Sequence, residues 1–213
     1  MKKIMFAWIL VLPWYLHAQL GIKGGLNFAN VTNASSINSS SQTGFVVGGY
    51  LAPPSTGVMG FRTELLFSRQ GYNYKTSVNT GNVDLDYILF PQLMCINLTK
   101  FVQIQFGAQM AILLNAKVDS SNESSAGATG NSSAMDAYNR FDYGYAIGGE
   151  IHPVSGLILG VRYNVSLGEM YKSENYSNPG AMPSFIPDIN PKNNVVQLFV
   201  GWTFGKQPKK TKS

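Results

Sequence analysis

From Phe101 to Lys117 the chain reads FVQIQFGAQMAILLNAK. Taken as an extended segment, it puts Val102, Ile104, Phe106, Ala108, Met110, Ile112 and Leu114 on one side and Gln103, Gln105, Gly107, Gln109 and Asn115 on the other, because successive side chains of a strand point to opposite faces. The same alternation recurs further on. Leu157, Leu159, Val161, Tyr163, Val165 and Leu167 oppose Gly160, Arg162, Asn164 and Ser166, and Phe141, Tyr143, Tyr145, Ile147 and Ile151 oppose Asp142, Gly144, Gly148, Glu150 and His152. Alternation and turn residues together predict eight strands, over about 20–31, 45–52, 61–71, 83–98, 101–118, 141–152, 157–169 and 195–204.

The connections between these segments alternate in length. The first (VTNASSINSSSQTG), third (about YNYKTSVNTGN), fifth (DSSNESSAGATGNSSAMDAYNR) and seventh (KSENYSNPGAMPSFIPDINPKNN) are long and rich in Ser, Asn and Gly. The second (PPSTGVMG), the fourth (Thr99 and Lys100) and the sixth (PVSG) are short. Long loops at one end and tight turns at the other are the habit of outer-membrane barrels with an even strand number, whose termini share the periplasmic side.

The polar faces settle which side meets water. They hold the charges, but they consist mostly of Gly, Gln, Asn and Ser, which suits a narrow interior filled by side chains better than a solvated wall. The apolar faces are then left to lipid. The expected fold is an all-β, eight-stranded, antiparallel up-and-down transmembrane barrel. Tyr72, Tyr74, Tyr143, Trp202 and Phe204, near strand ends, are read as interfacial aromatic girdles.

Composition agrees: 213 residues, 45% hydrophobic but only 13% charged, with 22 Gly and 11 Tyr, describe one β-rich domain. Residues 1–18 have the form of a secretory signal, with Lys2 and Lys3, an apolar run from Ile4 to Leu16 and Ala18 before a cut ahead of Gln19. No later apolar run is long enough for a membrane helix, so residues 19–205 are assigned to the barrel and 206–213 to a basic periplasmic tail. The formal charge of +5 falls to +3 without Lys2 and Lys3, and to −1 once Lys206, Lys209, Lys210 and Lys212 are set aside. No basic surface for nucleic acid remains. Cys95 is single, which excludes an intramolecular disulfide.

The lumen-facing set is expected to include Lys23, Arg62, Glu64, Glu150 and Arg162. Buried charges are costly unless paired, so these five are predicted to form a structural ion-pair and hydrogen-bond network, with Arg162 important to stability. Catalytic chemistry has little support. His17 leaves with the signal and His152 sits beside Pro153, so neither a Ser-His-Asp site nor a histidine metal cluster can be assembled. Asp84 and Asp86 share a strand face near a long loop, where solvated charge is the ordinary outcome. No cofactor or metal is expected. Asn-X-Ser triplets at Asn33, Asn122 and Asn131 are chance matches in loops this rich in Ser and Asn.

The segments GIKGGLNFANV, GFRTELLFSRQGYNY, LDYILFPQLM, FGAQMAILLNAKV, FDYGYAIGGEI, GVRYN and VVQLFVGWTFG resemble the small outer-membrane β-barrel family of Bacteroidetes that includes the PorT-like proteins. The resemblance implies an eight-stranded barrel without assigned activity in most members, and in PorT itself an association with protein secretion and gliding machinery. It also marks departures: Leu89 and Cys95 stand in the fourth strand where the family commonly has a Glu and a Lys. The last strand resembles the signal read by the outer-membrane assembly machinery through Gln197, Trp202 and Phe204, with Phe199 where Gly is usual.

Three functions compete on this reading: a non-enzymatic structural or accessory envelope barrel, a narrow channel or small-ligand binder, and a soluble secreted barrel carrying an apolar ligand. The first implies a monomer in the bacterial outer membrane, with long loops outside and termini in the periplasm. Its expected partners are the lipid bilayer, the assembly machinery during biogenesis, and envelope or secretion proteins.

Overall fold

The computed structural model describes residues 19–32, 35–52, 57–76, 80–120, 135–172, 186–187 and 189–204. The expected signal segment 1–18, the tail 206–213 and the triplet asparagines Asn33, Asn122 and Asn131 lie outside the described residues. Eight strands follow one another in sequence order: β1 (Gln19–Thr32), β2 (Ser40–Ala52), β3 (Met59–Lys75), β4 (Thr80–Asn97), β5 (Val102–Ser120), β6 (Phe141–Ile151), β7 (Leu157–Ser166) and β8 (Lys192–Thr203). Each pairs antiparallel with its neighbours, and β1 pairs with β8, so the sheet closes into a barrel and leaves no free edge along its waist. Closure is what lets strands cross a bilayer, since every ladder hydrogen bond is then made within the protein.

The period-2 pattern decides which way the wall faces. Ile104, Phe106, Met110, Ile112 and Leu114 of β5, Tyr143, Tyr145 and Ile147 of β6, and Val161, Tyr163 and Leu167 along and just beyond β7 are all exposed on the outside. Gln103, Gln105, Glu150, Arg162 and Asn164 point inward and are buried. Among the described residues no helix is long and apolar enough to cross a membrane; the strands carry the apolar band instead.

The two ends differ. The start of β1, the end of β8 and the described residues 57–58, 98–101 and 152–156 lie at one end, here called the terminal end. The last of these turns tightly because Gly156 adopts φ 90°, a left-handed conformation that glycine alone enters without a Cβ penalty. The opposite, loop end carries the described residues 35–39, 76, 135–140, 167–172, 186–187 and 189–191.

Three sequence expectations change here. The third connection, expected to be long, is only residues 76–79; β3 runs on to Lys75 and β4 starts at Thr80, so the extra length becomes strand and raises a taller wall. Asn115, expected to share the inward face of Gln103 and Gln105, points outward. Leu114 is bulged between the register pairs Asp86↔Asn115 and Tyr87↔Leu113, and one extra residue flips every later side chain to the other face. Tyr72 and Tyr74, expected in an aromatic girdle, are buried inside the barrel, whereas Tyr143, Trp202 and Phe204 do lie on the outer face.

Candidate functional site

The interior is layered. At the terminal end β1, β3, β6 and β7 bring Lys23, Arg62, Glu64, Glu150 and Arg162 together, all five expected from the sequence and none more than 4% exposed. Arg162 donates two hydrogen bonds to the Glu64 carboxylate, at 2.6 and 2.9 Å, in the bidentate geometry that a guanidinium and a carboxylate share. Lys23 Nζ approaches the same carboxylate at 3.1 Å. Arg62 clamps Glu150 in the same two-pronged way, at 2.9 and 2.8 Å, and His152 Nε2 stands 3.1 Å from Glu150 Oε1.

Two glutamines on β5 join the pairs into one network. Arg162 donates to Gln105 at 2.7 Å, Gln105 to Gln103 at 3.2 Å, and Arg62 to Gln103 at 3.3 Å. Three cations thus face two carboxylates, leaving one formal positive charge in excess among them. Aromatic faces take up part of it. Lys23 Nζ lies 3.8 Å from the centroid of Phe199, the Arg162 guanidinium 5.4 Å from the same ring, and the Arg62 guanidinium 4.7 Å from Tyr50. This explains the departure at Phe199: its side chain points into the lumen and occupies space that Gly160 leaves open, where a Cβ would overlap the ring.

Above this ionic layer is a neutral one. Asn27 donates to Ser68 at 2.8 Å, Gln70 donates to Ser68 at 2.8 Å, Gln197 donates to Asn27 at 3.1 Å, and Asn193 donates to Gln70. The expected assembly-signal residues therefore divide: Gln197 is wholly buried in this layer, and Trp202 and Phe204 are on the outer surface.

The upper third is apolar, which the sequence reading did not foresee. Val31, Val46, Leu66, Tyr72, Tyr74 and the inward residues of β4 line it, and Ile37, Tyr138, Met170, Tyr171 and Ile186 from the loop end fold down upon them. The cap is stitched by backbone bonds from Asn139 to Met170 and from Lys172 to Ala137, and by Asn190, which both donates to and accepts from the Tyr171 backbone. Tyr171 sits at its centre, its hydroxyl sharing hydrogen bonds with Tyr72 and, at 3.0 Å, with Tyr138. Burial pushes the phenols of Tyr138 and Tyr171 well above their ordinary ionisation range. Leu89 and Cys95, where the resemblance implies a Glu and a Lys, are both buried and inward.

Asp84 and Asp86 lie on the outer wall above the apolar band. Asp86 receives Arg69 at 2.7 and 3.1 Å and Asn115 at 3.4 Å, Asp84 receives Gln42, and Lys117 pairs with Asp119 at 3.1 Å. These charges pair with one another on the outer wall, Asp86 itself buried beneath Arg69, and hold no reactive geometry. Among the described residues no group of three or more His, Cys, Asp and Glu side chains stands close enough to hold a metal ion.

A closed eight-stranded sheet with a greasy outer wall, a charged and amide-filled bore and a polar rim defines an outer-membrane-type β-barrel. The chain belongs to the outer membrane protein beta-barrel domain family, whose model matches residues 15–172. Among solved structures it is similar to Ail, the attachment invasion locus protein of Yersinia pestis, at 13% identity over 88% of this chain and 99% of that one, with a TM-score of 0.50. It is also similar to Neisserial surface protein A (16% identity, 88% and 99% covered, TM-score 0.49) and to OprG of Pseudomonas aeruginosa (10% identity, 90% and 98% covered, TM-score 0.46). No curated protein matches the chain by sequence. The protein is an integral barrel of the bacterial outer membrane, and the reading of a soluble carrier with an apolar interior is overturned by its outward-facing apolar wall.

Proposed function

We propose that the protein is a non-enzymatic structural or accessory component of the cell envelope, a monomeric barrel whose loop end faces the cell exterior and whose termini lie in the periplasm. One observation carries this reading: the bore is obstructed at two separate levels, by the ion-pair layer and by the tyrosine-centred cap. A lumen filled in this way supports a scaffold that displays loops over one that passes solutes. Residues 1–18 act as a removable export signal, and the periplasmic tail 206–213, with four lysines, is free to meet anionic headgroups or a periplasmic partner, each lysine contributing about 1 kcal/mol near a charged surface. Gln197, Trp202 and Phe204 serve recognition by the assembly machinery. The resemblance to PorT-like proteins supports a finer form of the reading, in which the partner belongs to protein-secretion machinery.

Planar-bilayer recording on the purified barrel tests the first part, with no conductance expected; a reproducible single-channel current would put the narrow-channel reading in its place. Crosslinking from the loop end and from Lys206, Lys209, Lys210 and Lys212 tests the second. Envelope proteins are expected among the neighbours, and recovery of the barrel alone from both positions would reject an accessory role.

A further inference from the structure

Between the neutral layer and the cap is a cavity of about 10 Å3, lined on its polar side by Gln70, Gln109, Asp142, Asn164, Ser166 and Asn193. Most of these groups are engaged. Gln70 and Asn193 bond to one another, and Ser166 donates to Asp142 at 2.7 Å, which also accepts the Tyr143 backbone N–H at 2.7 Å. Three atoms are not: both amide atoms of Asn164 and Oε1 of Gln109 have no hydrogen-bond partner among the described residues. Asn164 is only 3% exposed, so bulk solvent does not satisfy it.

Buried amides in folded proteins almost always find a partner, in protein or in ordered water. A cavity of this size accommodates one water, and such waters typically make about three hydrogen bonds to otherwise unpaired groups. We infer that the barrel binds a single ordered water at this point, accepting from Asn164 Nδ2 and donating to Gln109 Oε1 and to Asp142. The site presents a donor as well as acceptors. A water uses both, whereas the Asn164 NH2 group repels a bare cation, so water is the better fit than a monovalent metal ion.

This water ties β5 to β7 over the intervening β6 and joins the Asp142–Ser166 pair on β6 and β7 to the amide layer below. It goes beyond the accessory role proposed above and does not depend on it.

A high-resolution crystal structure of the detergent-solubilised protein tests the inference. It should show one density peak about 2.7–3.2 Å from Asn164 and Gln109. A direct Asn164–Gln109 hydrogen bond without a peak would overturn it, as would a peak with oxygen distances of about 2.4 Å, the range of a bound cation. In solution, the side-chain amide of Asn164 should show a nuclear Overhauser cross-peak at the water frequency. Asn164→Leu and, separately, Gln109→Met should abolish the bound water, and persistence of a peak at the same place in either variant counts against the assignment. If neither variant folds, the crystal structure and the cross-peak of the wild-type protein decide the question alone.

Discussion

The excess positive charge in the ionic layer makes the order of three substitutions predictable. Glu64 is shared by Lys23 and Arg162, while Glu150 pairs with Arg62 and stands beside His152. Glu64→Gln therefore leaves two buried cations around a neutral amide, and an uncompensated buried charge costs about 3–5 kcal/mol. Arg162→Met removes three hydrogen bonds, of 2.6, 2.9 and 2.7 Å, but leaves Lys23 and Glu64 as a balanced pair. Its cost is about 2 kcal/mol, the scale of a few charge-assisted bonds offset by relief of the surplus charge. Lys23→Met also balances the layer and gives up only the contact to Glu64 and the face of Phe199, so it should be the mildest of the three. Urea unfolding in lipid vesicles measures the order. With residues 1–18 removed, Trp202 is the sole tryptophan and reports on the last strand. Arg162→Met at least as damaging as Glu64→Gln would refute the charge-balance reasoning; so would a triple apolar replacement of Lys23, Glu64 and Arg162 that is weaker than either single change.

Gly160→Ala should destabilise the barrel because its Cβ overlaps Phe199, and adding Phe199→Leu should recover part of the loss; a strictly additive double variant would show that the two residues do not share one space. In a spectrophotometric alkaline titration the phenols of Tyr138 and Tyr171 should ionise only above the ordinary tyrosine range. Their folded-state pKa values are raised, so the stability they contribute is complete below the ordinary tyrosine value near 10 and is lost as pH rises beyond it. Titration of every tyrosine in one step near pH 10, with the fold intact, would mean the cap is open to solvent. Trp202 emission should be quenched by brominated lipid and protected from aqueous acrylamide; the opposite pattern would place the outer face of β8 in water.

How legible this molecule was depends on the periodicity of each stretch. β5 to β7 alternate so regularly that the outward set from Val102 to Leu114 and the inward set from Gln103 to Gln109 can be assigned residue by residue, and with them the lumen charges Glu150 and Arg162; the same alternation on β1 and β3 points Lys23, Arg62 and Glu64 inward. The same rule failed at Asn115 because the Leu114 bulge has no mark in the sequence: neither Gly nor Pro announces it. Tyr72 and Tyr74 were misplaced for a related reason. An aromatic near a strand end suits both a lipid interface and a filled bore, and only the prolongation of β3 to Lys75 shows that their parity is that of Arg62 and Glu64. The cap was invisible because Tyr138, Tyr171 and Ile186 sit in loops without periodicity, where nothing local says they return to the barrel mouth. A hint was present in β4, whose inward positions run Val83, Leu85, Tyr87 and Leu89 and demand an apolar neighbour inside.

The ionic layer has a further consequence for how the molecule is made. Its members come from β1, β3, β5, β6 and β7, and the ring of Phe199 that covers two of its cations comes from β8. A half-inserted sheet would expose lone ammonium and carboxylate groups to hydrocarbon with their counterparts not yet delivered. Intermediates of that kind are penalised until the first and last strands meet, so insertion becomes an all-or-none event.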